Sequence, residues 1–284
     1  MALQSVDNIV ASIAAGKTWK ASFQKVSTNA AASAAGRWHE LYTATGVPGA
    51  GVYGGSVGVA QQMKRSTHSC LDIGAPVPTD VKHLMTMNIG TPAATTAAAM
   101  MILVDCLINY PSCVVTGTAT TLNNTATLPR YTDGKGVMAI VAVQALLGAA
   151  MPVLTFTYTD DADQSRTGVI LTSPVASAPI STLFATTGGC FLPLSTAALH
   201  YGIKKLDSYT IGSGTTGTAA FMLVKELARI PLLAQFVASE RDLLFQLPSM
   251  PRIYDDACLA WLVLVGAAMP ASSMFLGALD VVWG

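Results

Sequence analysis

The sequence has 284 residues, 51% of them hydrophobic and 11% charged, with 16 basic against 16 acidic side chains, a mean hydropathy of +0.48 and a pI near 6.9. That balance excludes a strongly basic nucleic-acid binder and an acidic disordered tail. The charged fraction is less than half of the roughly 25% usual for a soluble domain, so either a bilayer or many protein neighbours in a large assembly must cover the surface.

The first residues, MALQSVDNIV, carry no basic n-region and no apolar h-region, and no secretory signal is expected. Residues 5–15 predict a helix: Ser5 is a natural N-cap, and Val6, Ile9, Val10 and Ile13 recur at helical spacing until Gly16 stops them. NAAASAA at 29–35 extends or links that helix, and Gly46 to Gly58, with six glycines and a proline, reads as loop. From about residue 98 the text changes. MMILVDCLI, GVMAIVAV, VLTFTYT, TGVILT, LDSYTI, TAAFMLV, CLAWLVLV and MFLGALDVVW are short apolar runs rich in Val, Ile, Thr and aromatics, separated by turn residues. TDGKG (132–136), DDADQSR (160–166) and Gly212 to Gly217 read as sheet corners. The expected fold is all-β, a β-sandwich of jelly-roll kind over residues 31–284 with a possible junction near 129–136, preceded by an N-terminal helix or arm over 1–30. The Ala-rich stretches at 29–35 and 93–101 leave α+β as the alternative.

Residues 136–159 and 257–279 are free of charge for more than twenty positions, long enough for membrane spans. Gly148 and Pro152 split the first, whose second half alternates Leu154, Phe156, Tyr158 against threonines; Gly266 to Ser273 breaks the second. Each is expected to be two strands joined by a turn.

Motifs suggestive of chemistry have plainer readings. ASIAAGKT (11–18) matches a relaxed phosphate loop, and MMILVD could supply a metal-holding Asp105, but a phosphate loop follows a strand and opens a helix, whereas this one follows a helical stripe. The GxGxxG strings at 49–54 and 212–217 read as loops in a chain with 24 glycines. Histidines 39, 68, 83 and 200 are isolated apart from His68-Ser69-Cys70, too little for a metal site. The five cysteines include no CxxC and are an odd number, so buried free thiols in a reducing cytoplasm are expected. Asn123-Asn124-Thr125 is a turn, and no GxSxG, HExxH or catalytic carboxylate pair occurs. No catalytic, cofactor or metal residue is assigned.

The dense charges are Glu240, Arg241 and Asp242, followed by Arg252, Asp255 and Asp256. They form either a solvated loop or an intersubunit ion-pair patch. Lys64, Arg65, Lys204 and Lys205 are too few for a nucleic-acid surface. In residues 1–26 an apolar stripe is followed by Trp19 and Phe23 interleaved with lysines; a helix so short must dock on something, and a neighbouring subunit is the expected site. The candidate intersubunit contacts are Ile9, Ile13, Trp19, Phe23, Glu240, Arg241, Asp242 and Arg252.

Several segments together resemble a family of tailed-bacteriophage head proteins: SVDNIVASIAAGKTWK, LPRYTDGKGVMAIVAV, LTFTYTDDADQSRTGVIL, GCFLPLSTA, VKELARIPL, ERDLLFQLPSMPRIYDDACLAWL and the terminal DVVWG. Ala162 and Asp163 stand where the family's hairpin is expected to carry a glycine. The resemblance implies a capsid-associated β-sandwich protein of the virion, made in the host cytoplasm, with no enzymatic residues to carry over. The expected role is capsid decoration or cement, with the major shell subunit as the alternative. The expected partners are copies of itself and other capsid proteins, with neither membrane nor sequence-specific nucleic acid. An outer-membrane barrel and a nucleotide hydrolase are the alternatives of another class.

Overall fold

The computed structural model describes residues 3–27, 36–92, 98–115, 117–148, 153–170, 180–185, 189–195, 200–212, 216–246, 248–266 and 273–284. Helix α1 (Val6–Ala14) precedes β1 (Thr18–Val26), β2 (Trp38–Glu40), β3 (Thr45–Val47), β4 (Gln61–Gln62) and β5 (Lys82–Gly90). Next come β6 (Ala99–Val114), β7 (Thr120–Thr121), β8 (Val137–Ala145), β9 (Leu154–Asp160) and β10 (Ser165–Ile170). The remainder is β11 (Ile203–Ile211), β12 (Thr218–Leu232), β13 (Ser239–Asp242), β14 (Arg252–Ile253), β15 (Cys258–Val265) and β16 (Met274–Trp283). The protein is an all-β sandwich with one short helix among the described residues, and the predicted runs from residue 98 onward form strands where they are described. The predicted helices at 29–35 and 93–101 lie outside the described residues, except for residue 98, which is in neither helix nor strand, and 99–101, which belong to β6.

Three antiparallel sheets are stacked. A spine sheet runs β2-β15-β6-β12-β8, with β4 also on β6; a proximal sheet runs β13-β5-β16-β1-β3, with β14 also on β5; a distal sheet runs β10-β9-β11-β7. Both smaller sheets cover the same face of the spine, side by side. The long strands β6 and β12 make this possible, because each serves both sandwiches. Met101 and Leu103 of β6 pack into the proximal core beside Phe275, Leu279 and Val281. Leu107 and Tyr110 of the same strand pack into the distal core beside Leu154, Phe156 and Tyr158. In β12, Ala219, Phe221 and Leu223 face the distal core, whereas Ala228, Ile230 and Leu232 face the proximal one. That change from odd to even positions would turn the second set outward on a regular strand; a register shift between Glu226 and Ala228 restores it.

The opposite face of the spine, with Ile102, Val104 and Cys106 of β6 and Ala260 and Leu262 of β15, is covered by the loop layer that carries Tyr42, Tyr53, Met63 and Cys70. With both faces covered, the spine strands read as continuous apolar runs. This accounts for the two charge-free stretches: 136–159 supplies β8 to the spine and β9 to the distal sheet, and 257–279 supplies β15 to the spine and β16 to the proximal sheet. Each pair of strands passes between sheets instead of forming a hairpin within one. Among the described residues no helix is long and apolar enough to cross a membrane, and none of the three sheets closes on itself.

One sequence boundary is corrected. Residues 18–26 are not arm but a full strand between β16 and β3, paired from Thr18↔Val282 to Val26↔Met274, so the arm ends at Lys17. Its lysines misled the reading: Lys20 points outward, but Lys25 is buried and donates to the carbonyls of Ala44 (3.0 Å) and Gly49 (3.1 Å). The turn at 132–136 has Gly134 and Gly136 at φ +77° and +68°, the left-handed region that glycine enters without steric cost.

Candidate interaction surfaces

The order of elements decides the phosphate-loop motif. A helix precedes Gly16-Lys17-Thr18 and a strand follows, the reverse of the arrangement that aims backbone N–H groups at a phosphate. Lys17 is instead paired with Asp80 at 2.8 Å. Asp105 lies on the inward face of β6, between Leu103 of one core and Leu107 of the other, and Arg130 closes over it. The guanidinium donates to both carboxylate oxygens (2.8 and 2.7 Å) and to the carbonyls of Met63, Cys106 and Asp256 (3.0, 2.9 and 3.1 Å). The Cys258 N–H donates to the same carboxylate at 3.0 Å. Burial pushes the Asp105 carboxyl up and Arg130 opposes the rise; each of the three guanidinium nitrogens donates to an acceptor, as a buried ion pair requires. This pair is the seam between the two sandwiches.

Two proline-arginine segments that carry the family resemblance meet at that seam. Arg130 and Tyr131 come from the first; Arg252 and Tyr254 come from the second, with the Tyr131 and Tyr254 rings edge-to-face at 5.1 Å and Arg252 stacked over Tyr254 at 4.2 Å. Nearby, Lys82 is almost wholly buried against Asp255 (2.9 Å) and the Ala75 carbonyl (2.6 Å). The buried cations of the seam are thus spent on carboxylates beside them, Arg130 on Asp105 and Lys82 on Asp255.

Charge elsewhere is also consumed internally. Among the described residues, Lys17, Lys20, Arg65, Lys82, Arg130, Arg166, Lys204, Lys205 and Arg229 pair with carboxylates of their own chain. At the β9–β10 hairpin, buried Asp160 accepts from the Ala162 and Gln164 amides and from Arg166; burial raises its carboxyl, but these donors outweigh it and hold it below the usual range. Asp163 sits there at φ +62°, filling with an acid the left-handed position where a glycine was expected.

Several large apolar side chains are exposed as well. Leu233 (73% exposed), Phe236 (69%) and Val237 (58%) precede the edge strand β13 and Phe245 (67%) follows it, so exposed apolar side chains mark both ends of this rim of the proximal sheet. Phe236 holds φ +57°, rarely adopted by a bulky residue, with its N–H on the Thr91 carbonyl at 3.0 Å. A second apolar strip lies on α1: Val6, Val10 and Ile13 point outward, while Ile9 is buried where the helix meets β16. Ser5 caps the helix by accepting from Asn8 N–H at 3.2 Å, as its sequence predicts.

The predicted contact residues divide accordingly. Ile13 and Trp19 are exposed, and the Trp19 indole donates to the Asp72 carbonyl at 2.9 Å. Ile9 and Phe23 are corrected: both are buried in their own chain, Phe23 against Trp261 at 5.2 Å, and cannot be offered to a neighbour. Glu240, Arg241, Asp242 and Arg252 lie along one edge of β5, on β13 and β14. Among the described residues they form no ion pair with one another; Asp242 caps the Leu244 and Phe245 amides and Arg252 is held on Tyr254. Leu233, Phe236, Val237 and Phe245 are not among the predicted contacts, although Leu232, Leu233, Phe236 and Val237 crowd the short segment before the charged cluster.

The cysteine expectation is corrected too. Cys70 and Cys258 form a disulfide across 188 residues, with Cα atoms 5.0 Å apart, while Cys106, Cys113 and Cys190 are free and buried. Spacing along the chain cannot reveal a pair created by a loop folding over a strand. Among the described residues no group of three or more metal-ligating side chains converges.

No protein-family model matches the sequence, and no curated protein matches it at a significant level. A solved structure of infectious bursal disease virus, Gt strain, aligns over 94% of this chain and 80% of that chain, at 6% identity and a TM-score of 0.21. Likeness at that level establishes no shared fold.

Proposed function

We propose that this chain is a non-enzymatic structural protein of a virus particle, working as a decoration or cement protein on the head of a tailed phage, with copies of itself and other capsid proteins as partners. The observation that carries the reading is the apolar rim of Leu233, Phe236, Val237 and Phe245 on a protein whose charges are few and mostly paired internally. A rim of this kind is unfavourable in water and favourable against another protein, and large aromatic side chains are the usual anchors of such contacts. The left-handed backbone at Phe236 supports it, since strain of about 1–3 kcal/mol persists where the position is used. The resemblance of the strand-and-turn segments to phage head proteins supplies the particular setting.

Mass spectrometry of purified particles of the virus that encodes the chain tests the reading. The chain is expected at a high, fixed copy number; its absence from particles overturns the proposal. Heads assembled without it separate the roles. A cement protein leaves heads that form but are fragile, whereas heads that fail to form make it the shell subunit.

A further inference from the structure

Three of the four cysteines in the layer behind the spine converge on one point. Cys70 reaches Cys258 from the loop, and Cys106 is the residue directly opposite Cys258 in the antiparallel β6–β15 register. All three side chains lie in the same buried cluster on the same face of the spine. Seam side chains reach this pair: the Cys258 N–H donates to Asp105 (3.0 Å) and the Cys106 carbonyl accepts from Arg130 (2.9 Å). Directly opposed residues of an antiparallel pair have Cα atoms about 4.5–5.5 Å apart, inside the range of roughly 4.4–6.8 Å that a disulfide spans.

We infer that Cys258 is a shared partner for two thiols, and that the chain holds a thiol–disulfide exchange site in which Cys106 and Cys70 compete for it. The Cys106 thiolate attacks the Cys258 sulfur; the Cys106–Cys258 bond forms, the Cys70–Cys258 bond breaks, and Cys70 leaves as a thiolate that takes up the proton Cys106 gave away. No oxidant or reductant is consumed. Burial holds the Cys106 thiol well above its usual range, so the exchange is slow at neutral pH and quickens as pH rises.

Its consequence is to move the reactive sulfur outward. Cys106 is 1% exposed, but Cys70 is 7% exposed and lines a surface groove with Arg65, Ser66, Asp72, Asp255 and Asp256. The freed Cys70 is thus within reach of a small thiol–disulfide couple such as glutathione. The loop does not leave with it, because the Leu71 N–H still bonds the Leu259 carbonyl (3.3 Å) and the Ser66 N–H the Asp256 carboxylate (3.0 Å).

The test is disulfide mapping by peptide mass spectrometry after trapping free thiols with iodoacetamide in denaturant. Folded wild-type protein held in a glutathione redox buffer at mildly alkaline pH is expected to yield a Cys106–Cys258 peptide together with alkylated or glutathionylated Cys70, while Cys113 and Cys190 stay unlinked. A Cys70→Ser variant given oxidised glutathione, which supplies the two oxidising equivalents now required, is expected to lose Cys106 alkylation as the Cys106–Cys258 bond forms. The inference is overturned if the wild type retains Cys70–Cys258 alone under every buffer. It is equally overturned if folded Cys70→Ser leaves Cys106 and Cys258 both free. Should Cys70→Ser fail to fold, the wild-type map decides.

Discussion

The seam and the rim invert the usual placement of charge and hydrocarbon. At the seam, Asp105 and Arg130 are buried between two apolar cores with their hydrogen-bonding capacity satisfied. At the rim, four large apolar side chains face solvent around an edge strand. A protein already short of charge therefore places some of it inside, which makes its surface poorer still. The lesson is that composition alone understates how little charge the exterior holds.

The seam offers the largest effect. Arg130→Ala should leave Asp105 as an uncompensated buried carboxylate and cost about 3–5 kcal/mol of stability, read by chemical denaturation. The double variant Asp105→Leu/Arg130→Met should cost less than either single truncation, because no lone charge remains. A double variant more damaged than both singles would mean that the pair is not what joins the sandwiches.

A buried polar group without a partner sharpens the contrast. His39 on β2 is buried, neither ring nitrogen has a hydrogen-bond partner among the described residues, and burial pushes its pKa down to about 4. The unfolded chain takes up a proton on this ring near pH 6.5, whereas the folded chain does not until about pH 4. The His39 contribution to stability is therefore lost progressively as pH falls through that window, by up to about 3 kcal/mol. The wild type measured against His39→Leu from pH 7 to 4 isolates this slope; equal slopes would show that the ring is protonated or solvated in the fold.

How much of this was legible depends on which signal each feature leaves. Leu154, Phe156 and Tyr158 alternate with threonines and announced β9, because period-two burial is written directly in sequence. β1 was missed although Ala21, Phe23 and Lys25 alternate inward in the same way, because a buried lysine reads as a surface residue until its carbonyl partners are known. Arg130 and Asp105 are 25 residues apart, and Cys70 and Cys258 are 188 apart. Pairings of that range depend on topology, which local pattern does not encode. The rim was hidden by the opposite error, since apolar residues between Pro231 and Phe245 look like core until the chain is folded.

At the rim, Phe236→Ser with Phe245→Ser should weaken attachment to the particle by about 2 kcal/mol, roughly 30-fold in affinity, because two aromatic anchors are lost. The melting temperature should hardly move, since neither side chain is buried in its own chain. A large fall in melting temperature with unchanged attachment would assign these residues to the fold. The smallest effect belongs to the β9–β10 hairpin. Asp163→Gly relieves a left-handed backbone but removes the exposed contact with Lys204 at 2.7 Å, so the net change should stay under about 1 kcal/mol in thermal unfolding. A larger loss would mean that this ion pair fixes the turn.

The most direct test of the central claim is hydrogen exchange on the chain free in solution and bound in the particle. The account predicts that amides of residues 233–246 become slower to exchange on assembly, while those of the seam at 104–107 and 257–260, already buried in the free chain, do not change. Equal exchange at 233–246 in the two states would contradict the assignment of the rim as the surface that a neighbour covers.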